Sequence, residues 1–280
     1  MTAVVERTKA RVRRAYQIGD AFFRIDWIDT KNYPLAFVMK VLQTLVPIVT
    51  YMFVAKLVGD NDADVGFDYY TFVVIGIVSM GALGATLNSF GNDMLRLVTQ
   101  GQLEMFLVEP VKWKMLPFAM MSWPGLQAVA TAVLMVLLSM PLGANYRLEA
   151  IPVAALILVL GLAASLAIGI LGASVKILSK RADPVLVLYT IVASILSGAF
   201  FPVELLPRWL QSVSWVIPHT YVFQALRRVL MPHGEVLPGP STWQAIAALF
   251  VFSLILYPIS MWVFGRTLEY GRRIGALSGY

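Results

Sequence analysis

The chain of 280 residues contains no cysteine and only two histidines, His219 and His233. The first absence excludes disulfides, thiolate nucleophiles and cysteine-held metal centres. The two histidines have no acidic companion at the spacing of a zinc protease, so no metal-ligating set is legible. Charge is scarce too. Asp, Glu, Lys and Arg make up 14% of the residues against 59% hydrophobic ones, and the mean hydropathy is +0.74. A soluble domain carries about 25% charged residues, so the composition describes an all-α integral membrane protein. The net charge of +6 does not point to nucleic acid, because its basic residues gather beside apolar stretches. No Gly-x-x-x-x-Gly-Lys-Ser/Thr phosphate loop occurs, so a nucleotide that drives this protein would have to be bound by another chain. No catalytic residue and no cofactor of its own is expected.

What is present is a series of long apolar stretches. Six spans are predicted: Leu35 to Val58, Tyr70 to Phe90, Met115 to Met140, Ile151 to Ile177, Pro184 to Phe200 and Trp243 to Phe264. None contains Asp, Glu or His, the groups that proton-coupled carriers place in the bilayer as relays. Residues 1–34 are expected to form a basic amphipathic segment on the cytoplasmic membrane surface. Arg7, Lys9, Arg11, Arg13, Arg14, Arg24 and Lys31 alternate there with Tyr16, Phe22, Phe23 and Trp27; a solvated tail with a few aromatic anchors is the alternative. The first 33 residues are too charged for a signal peptide. The loop from Gly59 to Asp68 holds four aspartates and no Lys or Arg, without the glycine and distal glutamate of a calcium loop. With the N-terminus inside, sixteen Lys and Arg fall on the inner side and four on the outer. The positive-inside rule therefore favours six spans with both termini cytoplasmic.

Four stretches inside this frame carry more than length. In span four, Gly161, Ser165, Gly169 and Gly172 share one helical face and read as a close-packing seam. In span five, Thr190, Ser194 and Ser197 form one polar face. They either line a pathway with Thr86 and Asn88 of span two, or bond to the carbonyls of their own preceding turn. Residues 93–110 begin with a possible cap at Asn92-Asp93 and are punctuated by Gly101 and Pro110. The fourth stretch, about 200–228, is broken by Pro202, Pro207 and Pro218 into pieces too short to cross a bilayer and too apolar for a wet loop. It reads either as a hairpin dipping into the membrane or as an amphipathic pair lying flat on it.

The motifs Phe200-Phe201-Pro202, Leu206-Pro207 with Trp209 two residues on, Pro218-x-Thr220-Tyr221 and Ala225-Leu226-Arg227 resemble the last third of ABC-2 type transporter permeases. The run Gly101-x-Leu103-Glu104, then apolar residues, then Pro110 resembles the same family. The resemblance implies a permease subunit of an ATP-driven exporter for hydrophobic or amphipathic substrates, drug-like or lipid-like, in the cell membrane. Polysaccharide or glycolipid export is the variant within the family. A channel or sodium-coupled carrier without an ATPase is the rival outside it. The implied partners are two cytoplasmic ABC ATPases, which would bind the ATP and Mg, a second permease subunit and the bilayer. It further implies that Gly101, Leu103, Glu104, Phe106, Leu107, Glu109 and Pro110 form a coupling helix on the ATPase, with an amphipathic connector as the plain alternative. Phe200, Phe201, Pro202, Leu206, Pro207, Trp209, Pro218 and Tyr221 would form an external gate in a re-entrant hairpin.

Overall fold

The computed structural model describes residues 19–20, 23–28, 30–58, 68–101, 115–179 and 184–274, and among these there is no strand. Among the described residues, five helices are long and apolar enough to cross a membrane. They are α1 (Pro34–Val58), α2 (Tyr69–Thr99), α3 (Leu116–Ser139), α4 (Ile151–Ser179) and, after three shorter helices, α8 (Thr242–Arg273). The shorter ones are α5 (Pro184–Leu196), α6 (Arg208–Ser214) and α7 (Pro218–Leu230).

The α5 helix corrects the expectation of a span over 184–200. It has 13 residues, about 20 Å at the α-helical rise, against about 30 Å of hydrocarbon. The physical reason is Gly198, which adopts φ +75°. That is a left-handed conformation open to glycine and closed to a continuing helix. Extended Pro202 then starts a separate 3₁₀ turn over Val203–Leu205.

The α2 helix is the spine. Its apolar centre is 78% buried, against 6% for α1 and 17% for α8. Its neighbours include α1, α3, α4 and α7. The closest approach is to α4, along the seam expected from glycine spacing. A Cβ on Gly169 would stand 2.5 Å from the Leu87 carbonyl oxygen, and one on Gly161 would stand 2.7 Å from Val222 and 3.1 Å from Leu83. Small residues here let helices touch backbone to backbone. Phe90 of α2 meets Phe264 of α8 edge-on with ring centres 5.3 Å apart, at the centre of an apolar cluster that includes Met94, Leu97 and Ile170.

That cluster explains a second correction. Asn92 and Asp93 do not cap a new helix, because α2 runs unbroken through them to Thr99. Phe90, Met94, Leu97 and Val98 are all buried, and their packing overrides the capping preference of the polar pair. Instead the Lys176 ammonium of α4 donates to Asn92 Oδ1 at 2.6 Å, and Arg96 pairs with Asp93 at 3.9 Å. The true cap is Asp68, whose carboxylate accepts from the Thr71 amide at 3.2 Å and from the Thr71 hydroxyl.

The two ends of the bundle are each tied by contacts from distant segments. At one end Trp123 of α3 donates to the Thr30 hydroxyl at 3.0 Å and meets the rings of Phe23 and Trp27, each at 5.1 Å. The described part of the N-terminal segment is therefore seated on protein. Its basic residues before Arg24 lie outside the described residues. At the other end the Arg147 amide donates to the Leu230 carbonyl at 2.8 Å, and the Arg147 guanidinium pairs with Glu235 at 3.2 Å. Ser139 and Tyr146 share a hydroxyl hydrogen bond of 2.8 Å.

Candidate functional site

After α5 the chain doubles back on itself. The break at 197–201 leads through the 3₁₀ turn to Pro207, an extended residue that starts α6. The α6 helix runs back along α5, where Leu206, Leu210 and Ile217 pack with Tyr189, Val192, Ala193 and Leu196. At the far end of this return, His219 Nδ1 lies 3.0 Å from the Tyr189 hydroxyl. Pro218 then opens α7, where proline fits because its missing N–H would have no partner. Tyr189 is two helical turns before Leu196, so the return reaches about 10 Å back along α5. The α7 helix then climbs past Gly161 at Val222 to Leu230.

The polar backbone of this doubled segment is satisfied from within. The Gln211 amide donates to the Glu204 and Leu206 carbonyls at 3.1 and 2.8 Å. The Thr220 hydroxyl donates to the Ser214 carbonyl at 2.6 Å. Irregular chain away from water requires partners of this kind.

The strongest polar feature is Arg227, which is 2% exposed. Its Nε donates to the Phe72 carbonyl of α2 at 3.0 Å. Nη1 and Nη2 donate to the carbonyls of Gly198 and Ala199 at 2.5 and 2.6 Å. The guanidinium carbon lies 3.4 Å from the centre of the Phe72 ring. Among the described residues no carboxylate forms an ion pair with it. Room for this junction comes from Gly76, where a Cβ would stand 2.0 Å from the Ala199 oxygen. The neighbouring Arg228 points the other way and donates to the carbonyls of Leu237 and Gly239 at 2.5 and 3.2 Å.

The eight residues expected at an external gate are thus brought into one segment, but unequally held. Phe200 stacks on Tyr51 of α1 with centres 5.6 Å apart. Phe201 and Pro202 are half-buried, Leu206 packs on α5, and Pro218 is buried. Tyr221 lies 5.5 Å from Trp215 and 5.7 Å from Phe252 of α8. Pro207 is exposed, and Trp209 is 70% exposed.

The hydroxyls expected along a pathway are mostly spent inside their own helices. Thr190 donates to the Leu186 carbonyl and Ser194 to that of Ile191, both at 2.8 Å. Thr86 donates to the Ala82 carbonyl at 3.1 Å and the Asn88 amide to that of Gly84 at 2.9 Å. Ser197 differs, for its buried hydroxyl has no partner among the described residues. Of the coupling set, Gly101 is seen at φ +67° just past the end of α2, where a glycine ends a helix well. Leu103, Glu104, Phe106, Leu107, Glu109 and Pro110 lie outside the described residues.

Sequence reasoning gave Arg227 and Lys176 no role. The signal for Arg227 was its position four residues after Phe223 and one after Leu226, on the apolar face of α7. A charge on a buried face is the informative exception.

A family model described as ABC-2 type transporter matches residues 21–231, from the N-terminal helical residues to just past α7. No curated protein matches the chain.

Proposed function

This chain belongs to the ABC-2 type transporter family, and from that premise we propose that it is the membrane half of an ATP-driven exporter. It is a multi-pass membrane permease module, and modules of this family work with a separate ABC ATPase. The proposal adds direction, substrate and architecture. The substrate is hydrophobic or amphipathic and leaves the cytoplasm. Two permease subunits, identical or related, enclose the path, and two ATPases drive it. Both termini are cytoplasmic, and the chain crosses six times, with α5 completing its crossing through the hairpin that follows it.

The observation that carries this reading is the doubled α5–α6–α7 segment. It is too short and too broken to be two spans, it meets its own backbone needs, and it leaves Leu205, Trp209, Val213 and Val216 exposed. An apolar exposed surface on a self-satisfied hairpin suits a re-entrant element beside lipid or a second subunit. The alternation of ends supports the crossing count. Thr30 and Trp123 meet at one end, Arg147 and Leu230 at the other. The apolar outer row of α5, with Val187, Leu188, Ile191 and Ile195 exposed, suits a partner helix or lipid tails.

The test is purification of the tagged chain from membranes in mild detergent. An ATPase bearing a phosphate loop is expected to copurify, and ATP-dependent extrusion of a lipophilic dye is expected from reconstituted vesicles. A chain that purifies alone and moves solute without ATP would be a channel or ion-coupled carrier. For the pathway, Ser194→Leu and Thr190→Leu are expected to lower export severalfold at normal expression. Unchanged transport in both would leave the hydroxyls with only the helix-internal bonds described above.

A further inference from the structure

A guanidinium this deeply buried normally has an acidic partner, because an unpaired charge away from water is costly. Arg227 has three backbone carbonyls and an aromatic face instead. Two of the three carbonyls, those of Gly198 and Ala199, follow the last turn of α5. They belong to the irregular chain two and three residues past Leu196, near the negative end of the helix dipole. The third belongs to the first turn of α2. The charge on α7 and the carbonyls of the break after α5 therefore answer each other, and both rest on α2 where Gly76 lacks a side chain.

We propose that Arg227 is a positioning residue: it clamps the chain just past α5 to α2 and α7, so that these three move as one body. The asymmetry among the gate residues follows from this. Phe200, Phe201 and Pro202 follow directly on the clamped carbonyls and are half-buried, whereas Trp209 on α6 is largely exposed. The clamp is all-or-none. Drawing α7 away from α5 strands the charge and both carbonyls together, and an unpaired buried group costs more than its bond is worth when made. Glu204 is exposed and lines a small cleft together with Phe72 and Arg227, where it adds a favourable charge without closing an ion pair.

The test uses the full chain in right-side-out vesicles and an impermeant maleimide, since the chain has no cysteine of its own. A cysteine in place of Ser197, which is fully buried beside the clamp, reports local opening. Ser139→Cys, fully buried in α3, reports general loosening. Arg227→Gln is expected to label about tenfold or more faster at position 197, as three charge-assisted bonds are lost, with position 139 unchanged. Arg227→Lys, which keeps the charge but gathers its three donors on one nitrogen in place of the guanidinium's spread fork, should label at an intermediate rate. Gly76→Ala should speed labelling with the arginine intact, because its methyl displaces Ala199.

Unchanged labelling at 197 in Arg227→Gln, or an equal rise at 139, overturns the clamp. If Arg227→Gln fails to accumulate, Arg227→Lys and Gly76→Ala decide: protection retained in both overturns it. The clamp rests on the proposed function only for the side from which reagent is added. Labelling confined to inside-out vesicles would reverse the orientation and leave the clamp standing.

Discussion

Replacing Phe106 and Leu107 together by alanine is expected to strip the ATPase from the purified complex, or to leave it bound but unresponsive to substrate. A fully buried apolar side chain contributes about 1.5–3 kcal/mol. Losing two removes about 3–6 kcal/mol, roughly two to four powers of ten in affinity. Glu104→Ala should do far less, because an exposed ion pair is worth about 0–1 kcal/mol. Glu104→Lys should do more than Glu104→Ala, since it adds repulsion. The size of the effect depends on what this stretch is joined to. The α2 helix runs unbroken for 31 residues to Thr99 and ends at Gly101. A push that reaches Gly101 is therefore delivered directly to α2, whose centre is the most buried of the five candidate spans among the described residues. The measurements are ATPase stoichiometry after purification and stimulation of ATP turnover by substrate. Full stoichiometry and full stimulation in the double variant would make this stretch an ordinary connector.

Gly169→Leu is expected to abolish accumulation of folded protein. Even Gly169→Ala should lower the melting temperature in detergent. A Cβ at this position lies 2.5 Å from the Leu87 carbonyl oxygen and 3.2 Å from its carbon. The obstacle is backbone in the middle of α2, which cannot turn aside as a side chain would. Overpacking a filled interior costs about 1–3 kcal/mol, a large share of a typical total of about 5–15 kcal/mol. Gly84→Ala is the control, because nothing lies within 4 Å of its added Cβ. Equal melting temperatures for Gly169→Ala and Gly84→Ala would mean that α2 and α4 do not touch as described.

The features readable in the sequence were those set by one helix and its solvent. Long apolar runs marked α1 to α4 and α8, and the spacing of Gly161, Ser165, Gly169 and Gly172 marked the face α4 turns to its neighbours. The α5 helix was drawn too long because Ser197, Gly198, Ala199 and Phe200 prolong an apolar run, and hydropathy does not register that Gly198 turns left-handed. Asn92 and Asp93 suggested a helix start because their side chains cap well. Burial of Phe90, Met94 and Leu97 on both sides of them decided otherwise, and such burial depends on α4 and α8. The gate residues were found as a group because prolines bound them. Their unequal anchoring was hidden, since Arg227 bonds to backbone carbonyls, which every residue carries and no sequence displays.

Arg227 also sets a timetable. It bonds to Phe72 across 155 positions of sequence, and ribosomes add about 5–20 residues per second. The groove at Gly76 therefore enters the membrane roughly 8–30 seconds before the side chain that closes it has been synthesised. Over that interval the first turn of α2 cannot hold its final neighbours, whereas Gly198 and Ala199 precede Arg227 by only 29 and 28 positions and are made almost together with it. Biogenesis of this protein is therefore expected to include a waiting stage, in which the insertion machinery or lipid covers the face of α2 around Gly76 that α7 later closes.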